Sequence, residues 1–436
     1  MNDTLRQATR LEAIGGRYDP WLLGAALALA SLGVVMVASS SIELAASPFY
    51  YTTRHILFLA AGLGLAWWAM RTELKTIEHY NHLLLLGCFV LLLLVFVPGL
   101  GVSVKGAHRW INLGVSNFQV VEAVKVFFIV WLASYLVRFR DEVNATWPAM
   151  LKPLGVAVGL VALLLAQPDF GSSSLLLAIT AGMLVLGGVN MPRMFGPVLV
   201  GLPVLAVIAI AEPYRMRRLT SFSDPWADPF GSGYQLTNAL MAIGRGEWFG
   251  VGLGGSIQKL NYLPEAHTDF ILAVIGEELG FVGLCLVIAL YTLLVGRAFW
   301  IGLRCVEMRR HFAGYCAFGI ALWIGMQSFV SVGVNLGLLP TKGLTLPLIS
   351  SGGSSVLMTC VAMGLLLRVS YELERAQRQV ALRGEAMQAS AEPHTETEAA
   401  VPLPKVATPA PTAASNPIRG TNRLRPRVEP TFERIT

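Results

Sequence analysis

Long apolar segments recur along the chain up to about residue 370, and they restrict the fold more than any other feature. A transmembrane α-helix needs roughly 20 residues to cross a hydrocarbon core of about 30 Å, and on this basis ten spans can be delimited. They are 21–42, 56–70, 82–102, 117–137, 151–166, 174–188, 195–211, 269–294, 312–339 and 355–369. Only 14% of the residues are charged, which excludes an ordinary soluble globule. The sequence predicts an all-α polytopic membrane protein with ten transmembrane helices.

The distribution of Lys and Arg between the spans predicts the orientation. Basic residues in short loops resist translocation, and the loops assigned to the cytoplasm carry most of them. We therefore expect residues 1–19 to form a cytoplasmic N-terminal segment and the C-terminus to lie on the same side. The net charge of +6 is spread between apolar segments, so it reflects topology and not nucleic acid binding.

Two segments differ in composition from the predicted transmembrane domain, residues 20–373. Residues 212–268, between the seventh and eighth spans, are rich in aromatic residues and glycine and are predicted to form a large ordered extracytoplasmic loop. Residues 374–436 lack apolar periodicity and predict a largely disordered cytoplasmic tail. The five cysteines have no metal-ligand spacing, so we interpret them as reduced core residues and predict no metal site.

Asp269 opens the eighth span and, with this topology, lies at its extracytoplasmic end. Its position leaves two interpretations open: an acid that satisfies free N–H groups in the first turn, or a functional carboxylate at the membrane surface. Glu277 and Glu278 follow within the same span. At about 1.5 Å per residue they are too deep to act with Asp269, so we expect them to pair with Arg or Lys or to cap helix ends.

Glu122 and Lys125 are charged residues inside the fourth predicted span. They are three residues apart on one helical face and can pair, which lowers the cost of burying each. We favour a structural ion pair. The alternative is that Lys125 binds a phosphate or substrate at the bottom of a cavity.

Polar and basic groups gather on the outer face. Basic residues there match a diphosphate, although lipid headgroups are an alternative ligand. They are Arg215, Arg217 and Arg218 in one group, Lys105 with Arg109 in a second, and Lys342 alone. The run ISSGGSS permits close approach of backbone to a ligand or to another helix. Its site candidates are Ser350, Ser351, Gly352 and Gly353. His267 we interpret as a hydrogen-bonding scaffold residue.

Several longer strings occur in a fixed order along the chain. They are GAHRWINLG, QPDFGSS, DPF followed by GSGYQ, GVGLGGSIQKL followed by YLPEAHTDFI and GEELG, and LPTKGLTLPLISSGGSS. Together they resemble the SEDS family (shape, elongation, division, sporulation), whose members are membrane glycosyltransferases that polymerise peptidoglycan. The resemblance covers about residues 17–373, and PEAHTDF and LPTKGLTLP are similar to the division branch.

The resemblance implies an activity and a set of roles. The substrate would be lipid II, polymerised into glycan strands for the septal cell wall with release of undecaprenyl diphosphate. Asp269 aligns with the essential aspartate of the family and would be the general base, while loop cations hold the diphosphates. A divalent cation, Mg²⁺ or Mn²⁺, is left open at the diphosphate, and no other cofactor is implied.

The resemblance also implies partners and a place in the cell. Family members pair with a class B penicillin-binding protein, a transpeptidase, and we expect other division-site membrane proteins as further partners. The location would be the bacterial inner membrane at the division septum. Two other functions stay open. A lipid II flippase predicts an internal repeat, and none is evident. A non-catalytic division scaffold would fit the tail and the lack of a His-based catalytic cluster.

Overall fold

The computed structural model describes residues 15–42, 49–104, 106–114, 116–211, 216, 221–341 and 343–391. Its elements are α1 (Pro20–Ser40), α2 (Tyr50–Arg71), α3 (Leu74–His79), α4 (Asn81–Leu94), β1 (Gly101–Val104), β2 (Ala107–Asn112), β3 (Asn117–Gln119), α5 (Val120–Arg138), α6 (Arg140–Ala145), α7 (Trp147–Ala166), α8 (Phe170–Leu186), α9 (Met191–Ala211), α10 (Tyr234–Arg245), α11 (Ile271–Glu307), α12 (His311–Asn335) and α13 (Gly353–Ala391). In the described part of the chain, seven helices are long and apolar enough to cross a membrane: α1, α5, α7, α9, α11, α12 and α13. The chain is a polytopic, predominantly helical membrane protein.

Three more helices fall where the remaining spans are predicted. α2 has 22 residues but is less apolar, and it carries Arg54 and His55 near its start. α4 and α8 are strongly apolar but have only 14 and 17 residues. Each of the ten predicted segments therefore corresponds to a helix in the structure.

A small antiparallel sheet, in the order β1-β2-β3, corrects the predicted ends of the third and fourth spans. The third span is predicted to reach residue 102, but α4 ends at Leu94 and Gly101–Val104 form β1. The fourth is predicted to begin at residue 117, which is in β3. Hydropathy does not distinguish the apolar residues of β1 from the apolar run that precedes them. Gly106 and Gly114, with φ of +80° and +83°, lie in the two connections between strands, where a left-handed backbone favours glycine.

The core of the bundle contains α5, which is buried over most of its length, whereas α9 is mostly exposed. α1 packs along α11, and α12 packs against α5, α8 and α11. Small residues bring α2 and α13 together. A Cβ on Gly62 would lie 3.0 Å from Cys360, and one on Gly364 would overlap the carbonyl oxygen of Ala66. Contacts of this kind allow helix backbones to approach closely inside a membrane.

Ion pairs and polar contacts join the loops that were assigned to the cytoplasm. Arg297 of α11 pairs with Asp19, just before α1, at 2.7 Å. Glu372 of α13 accepts hydrogen bonds from Arg310, between α11 and α12, and from the backbone N–H of Leu74. These loops therefore meet at one end of the bundle.

α13 is longer than predicted and continues to Ala391. The tail predicted from residue 374 therefore begins as a helix in the described residues. The sequence there is rich in Ala, Glu, Arg and Gln, which have high helix propensity, and Arg378 pairs with Glu374 one turn earlier. Residues 392–436, the rest of that tail, lie outside the described residues.

Candidate functional site

Asp269 lies partly buried in the turn that precedes α11. Its backbone carbonyl accepts a hydrogen bond of 2.9 Å from the side-chain amide of Asn335, and the amide oxygen of Asn335 accepts one of 3.1 Å from the N–H of Ala273. Phe270 occupies the N-cap position and makes no side-chain capping bond. An N–H of the first turn is thus satisfied by Asn335 of α12. The role of the Asp269 carboxylate stays a prediction.

The segment 343–355 forms the other wall of the site. A Cβ on Gly343 would lie 3.2 Å from Oδ2 of Asp269, so glycine allows the backbone to approach the carboxylate. The hydroxyl of Ser350 donates to the carbonyl of Thr268 at 2.7 Å, and the N–H of Ser351 donates to the carbonyl of His267 at 2.9 Å. The motif YLPEAHTDFI and the motif LPTKGLTLPLISSGGSS are therefore hydrogen-bonded to each other beside Asp269.

The N-terminal half of α2 closes this wall. The ring of Tyr51 lies 4.7 Å from the ring of His267, centroid to centroid. A Cβ on Gly353 would lie 2.6 Å from the ring of Phe58, and one on Gly352 would lie 3.3 Å from Thr345. The glycines of ISSGGSS therefore permit close packing against Phe58 of α2 and against Thr345 in the same segment. Contact with a ligand stays a prediction.

Glu122 and Lys125 form the predicted ion pair, with 2.9 Å between Nζ and Oε1. The two residues are only 4% and 1% exposed. Lys125 also donates to the side chain of Gln327 at 2.8 Å and lies 4.7 Å from the centroid of the Trp323 ring. These contacts support the structural interpretation of the pair.

The same network extends to the site. Gln327 donates from Nε2 to the carbonyl of Thr345 at 2.8 Å, and the hydroxyl of Thr345 donates to that of Ser355 at 2.9 Å. The N–H of Gln119, just before α5, donates to Ser354 at 2.8 Å. α5 and α12 therefore hold the segment 343–355 from the core side.

Arg109 connects two of the sequence motifs. From β2 it donates to the carbonyls of Gln167 and Pro168, and its guanidinium lies 3.8 Å from the Asp169 carboxylate. The Arg109 side chain remains 30% exposed, so part of it is available to a ligand. The other predicted diphosphate ligands lie outside the described residues: Lys105, Arg215, Arg217, Arg218 and Lys342.

α11 is broken at Gly280, whose φ of +67° and ψ of −165° are outside the helical range. The loop segment from Glu247 to Gly252 forms backbone hydrogen bonds with both sides of the break. The backbone N–H groups of Val251 and Gly252 donate to the carbonyls of Glu277 and Glu278, respectively. The break follows both glutamates, so the helix between Asp269 and them is continuous and their predicted separation from Asp269 is unaffected. The prediction did not include the approach of the loop to these residues.

Both glutamates are fully buried and pair with cations from the loop. Glu277 accepts from Arg245 at 2.6 Å and also from the hydroxyl of Ser256. Glu278 accepts from Lys259 at 2.8 Å and from the hydroxyl of Ser39 at 2.7 Å. The prediction that they pair with Arg or Lys is confirmed. Sequence reasoning missed these partners, although one signal was present: Lys259 is a cation within the motif GVGLGGSIQKL.

Two further features bear on ligands. Among the residues that the structure describes, no group of three or more His, Cys, Asp or Glu side chains is placed to hold a metal ion.

In the loop, Asp228 accepts hydrogen bonds from the N–H and hydroxyl of Ser232, which lower the pKa of its carboxyl below the usual value. Asp228 thus stabilises a turn of the loop.

Comparison with known proteins identifies a family and several relatives of this chain. The family model described as cell cycle protein, FtsW/RodA/SpoVE, matches residues 20–375. A protein of Xanthomonas oryzae pv. oryzae is 70% identical over 100% of this chain and 94% of its own, and one of Legionella pneumophila is 46% identical over 81% and 91%. Both are described as probable peptidoglycan glycosyltransferase FtsW.

Solved structures give the same result. One match is a chain from a peptidoglycan synthase complex whose structure is described as showing coordination of polymerization and crosslinking. The TM-score is 0.69 at 30% identity, and the match covers 82% of this chain and 98% of that one. RodA of Thermus thermophilus matches with a TM-score of 0.60 and 29% identity, covering 81% and 96%. The family predicted from the motifs is thereby confirmed: the chain belongs to the FtsW/RodA/SpoVE family of cell cycle proteins, which is the SEDS family.

Proposed function

We propose that this protein is a peptidoglycan glycosyltransferase that polymerises lipid II into glycan strands for the septal wall during cell division. The observation that carries this proposal is the placement of Asp269. Its carboxylate lies at the mouth of α11, and residues of two family motifs fix the surrounding backbone by hydrogen bonds. The family and the relatives described above support the same activity.

The proposed reaction joins two lipid II molecules. Asp269 removes the proton from the 4-hydroxyl of the acceptor GlcNAc, and that oxygen attacks the anomeric carbon of the donor MurNAc. The bond between this carbon and the diphosphate oxygen breaks, and undecaprenyl diphosphate leaves with the electron pair. A diphosphate leaves readily once its charge is neutralised, so one base is sufficient where a glycoside hydrolase uses two carboxylates.

The diphosphates would be held by basic residues of the outer face. Candidates are Arg109, Lys105, Arg215, Arg217, Arg218 and Lys342. Lys342 directly precedes Gly343, whose Cα carries no side chain that would press on the Asp269 carboxylate. Guanidinium groups suit this task because their planar fork matches phosphate oxygens. A divalent cation at the same place would add charge neutralisation through the oxygens of the substrate.

The proposed topology has ten spans, both termini in the cytoplasm and residues 212–268 outside. The ion pairs between Asp19 and Arg297 and between Arg310 and Glu372 support it, since they gather the basic loops at one end of the bundle. Asp269 is then on the opposite, outer side. This arrangement suits a multi-pass protein of the bacterial inner membrane, located at the division septum.

The proposed partner is a class B penicillin-binding protein, which would crosslink the new strands, with other division-site membrane proteins around it. Support comes from the similarity to a chain of a peptidoglycan synthase complex that coordinates polymerization and crosslinking. Assays of activity should therefore use the protein together with this transpeptidase.

Replacement of Asp269 tests the proposal. With the complex in lipid vesicles that contain lipid II, we expect Asp269→Asn to reduce the rate of glycan strand formation by about 10²- to 10⁴-fold, the usual contribution of a general base. The amide keeps the shape of the side chain but takes up no proton. Glycan strands are separated on gels and quantified over time.

Glu307→Gln is the matched control, because Glu307 is an exposed acid at the other end of the same helix. Its activity should equal that of the wild type. Equal rates for Asp269→Asn and the wild type would exclude Asp269 as the base. No strands from the intact wild-type complex, with lipid II translocated across the membrane instead, would favour the flippase function.

A further inference from the structure

One ion pair joins the two ends of the chain segment that carries Asp269. The ammonium of Lys259 lies 2.8 Å from the carboxylate of Glu278, and Asp269 lies near the middle of the chain between them. Both ends are buried, with Lys259 6% exposed and Glu278 fully inaccessible. The position of this pair therefore limits where the Asp269 turn can lie.

Ser39 attaches this pair to α1. Its hydroxyl lies 2.7 Å from both carboxylate oxygens of Glu278 and 3.1 Å from Nζ of Lys259. Three groups thus contact one another, and Ser39 is almost the last residue of α1. We call Ser39, Lys259 and Glu278 the α1 anchor.

The segment 343–355, which forms the other wall of the site, also packs against α1. A Cβ on Gly33 would lie 2.5 Å from the carbonyl oxygen of Leu348 and 2.8 Å from Cα of Ile349, so the backbones are in direct contact. Gly33 and Ser39 are about 9 Å apart along the helix axis. One helix therefore supports both the Asp269 turn, through the α1 anchor, and the segment 343–355, through Gly33.

We propose that Ser39, Lys259 and Glu278 position the carboxylate of Asp269 against the segment 343–355 for the glycosyltransfer reaction. None of the three touches substrate in this proposal. The charges are enclosed among protein atoms, and a buried ion pair with additional hydrogen bonds has one well-defined geometry. The inference rests on the proposed function of Asp269.

The test measures kcat and KM for lipid II with the complex in vesicles. For Lys259→Met we expect kcat to fall by about 100-fold, the effect of displacing a reacting group by about 1 Å, with KM changed less than about twofold. Lys259→Arg keeps the charge and should recover kcat to within about threefold to tenfold of the wild type. For Ser39→Ala, which removes one hydrogen bond to a charged group, we expect kcat to fall about tenfold.

Arg297→Met is the matched control. It breaks the ion pair with Asp19, which joins the same two helices at the other end of the bundle. Its kcat should equal that of the wild type although its Tm falls, and the fall should be smaller than for Lys259→Met because the Arg297 pair is more exposed. A purely structural role for the α1 anchor would instead make kcat follow Tm in both variants.

The outcomes separate this inference from the proposed function. If Asp269→Asn is inactive but Lys259→Met and Ser39→Ala keep the wild-type kcat, the α1 anchor does not position Asp269. A rise in KM alone, or an equal loss of kcat in Arg297→Met, would also overturn the inference. If Lys259→Met does not fold, Ser39→Ala decides between the outcomes. Activity of Asp269→Asn would refute the proposed function itself.

Discussion

At the scale of single residues, the buried charges each have a partner of opposite sign. Lys125 and Glu122 are close in sequence, so their pairing could be predicted from helix spacing. The partners of Glu277 and Glu278 could not, because they come from distant parts of the chain. Ser39 is separated from Glu278 by 239 residues. Only the tertiary fold brings such groups together.

The Lys125 pair gives the first prediction at this scale. Lys125→Met leaves Glu122 as an uncompensated buried acid, so we expect the free energy of unfolding to fall by about 3–5 kcal/mol. The double variant with Glu122→Gln removes that charge and should recover most of the loss. Denaturant titration in detergent micelles measures both. A fully stable Lys125→Met with a raised KM for lipid II would instead favour Lys125 as a substrate ligand.

At the scale of elements, the ten apolar segments could be located from the sequence because long apolar runs have few alternatives in a membrane protein. The ends of the elements were harder to predict. Hydropathy does not separate β1 from α4, since apolar residues suit both. It also does not reveal the break at Gly280, because the apolar segment continues directly after this residue and only backbone contacts with the loop show the change.

Gly280 gives the prediction at this scale. A Cβ there would overlap the backbone nitrogen of Gly250, and its left-handed conformation is essentially restricted to glycine. We expect Gly280→Ala to lower the free energy of unfolding by about 1–3 kcal/mol. Gly296→Ala is the control. A Cβ at Gly296, further along α11, meets nothing within 4 Å, so the change should be neutral or stabilising by at most about 1 kcal/mol.

Thermal unfolding of the two purified variants, compared with the wild type in the same detergent, measures the difference. Equal stability of Gly280→Ala and Gly296→Ala would mean that α11 tolerates a continuous helix through residue 280. The paired contacts of Glu247 and Trp248 with Phe281 and Val282 would then be dispensable.

At the scale of the whole molecule, the family and the activity were predicted from motifs, and relatives with the same description agree. The orientation stays a prediction, and single cysteines can test it. The native cysteines are free, and four of the five are buried, so the exposed Cys285 is the one to replace before labelling. Ser232→Cys, in the loop, should react with a membrane-impermeant maleimide added to intact spheroplasts.

Gln379→Cys, on the extension of α13, is the counterpart of that variant. It should react only after the membrane is opened, because the C-terminal side is predicted to be cytoplasmic. Labelling is read from a gel shift. The reverse pattern would place Asp269 on the cytoplasmic side, away from any sugar acceptor outside the cell.

The close approach of α2 to α13, where Gly62 and Gly364 leave no room for side chains, has a consequence for the response to lipid. Acyl chains cannot enter between these two helices, so a thinner or thicker bilayer cannot separate them. The exposed α9 is different, since few of its residues are buried by the rest of the protein and its tilt can follow the bilayer thickness. Changes in membrane composition should therefore be absorbed at the periphery, and turnover should depend weakly on acyl chain length.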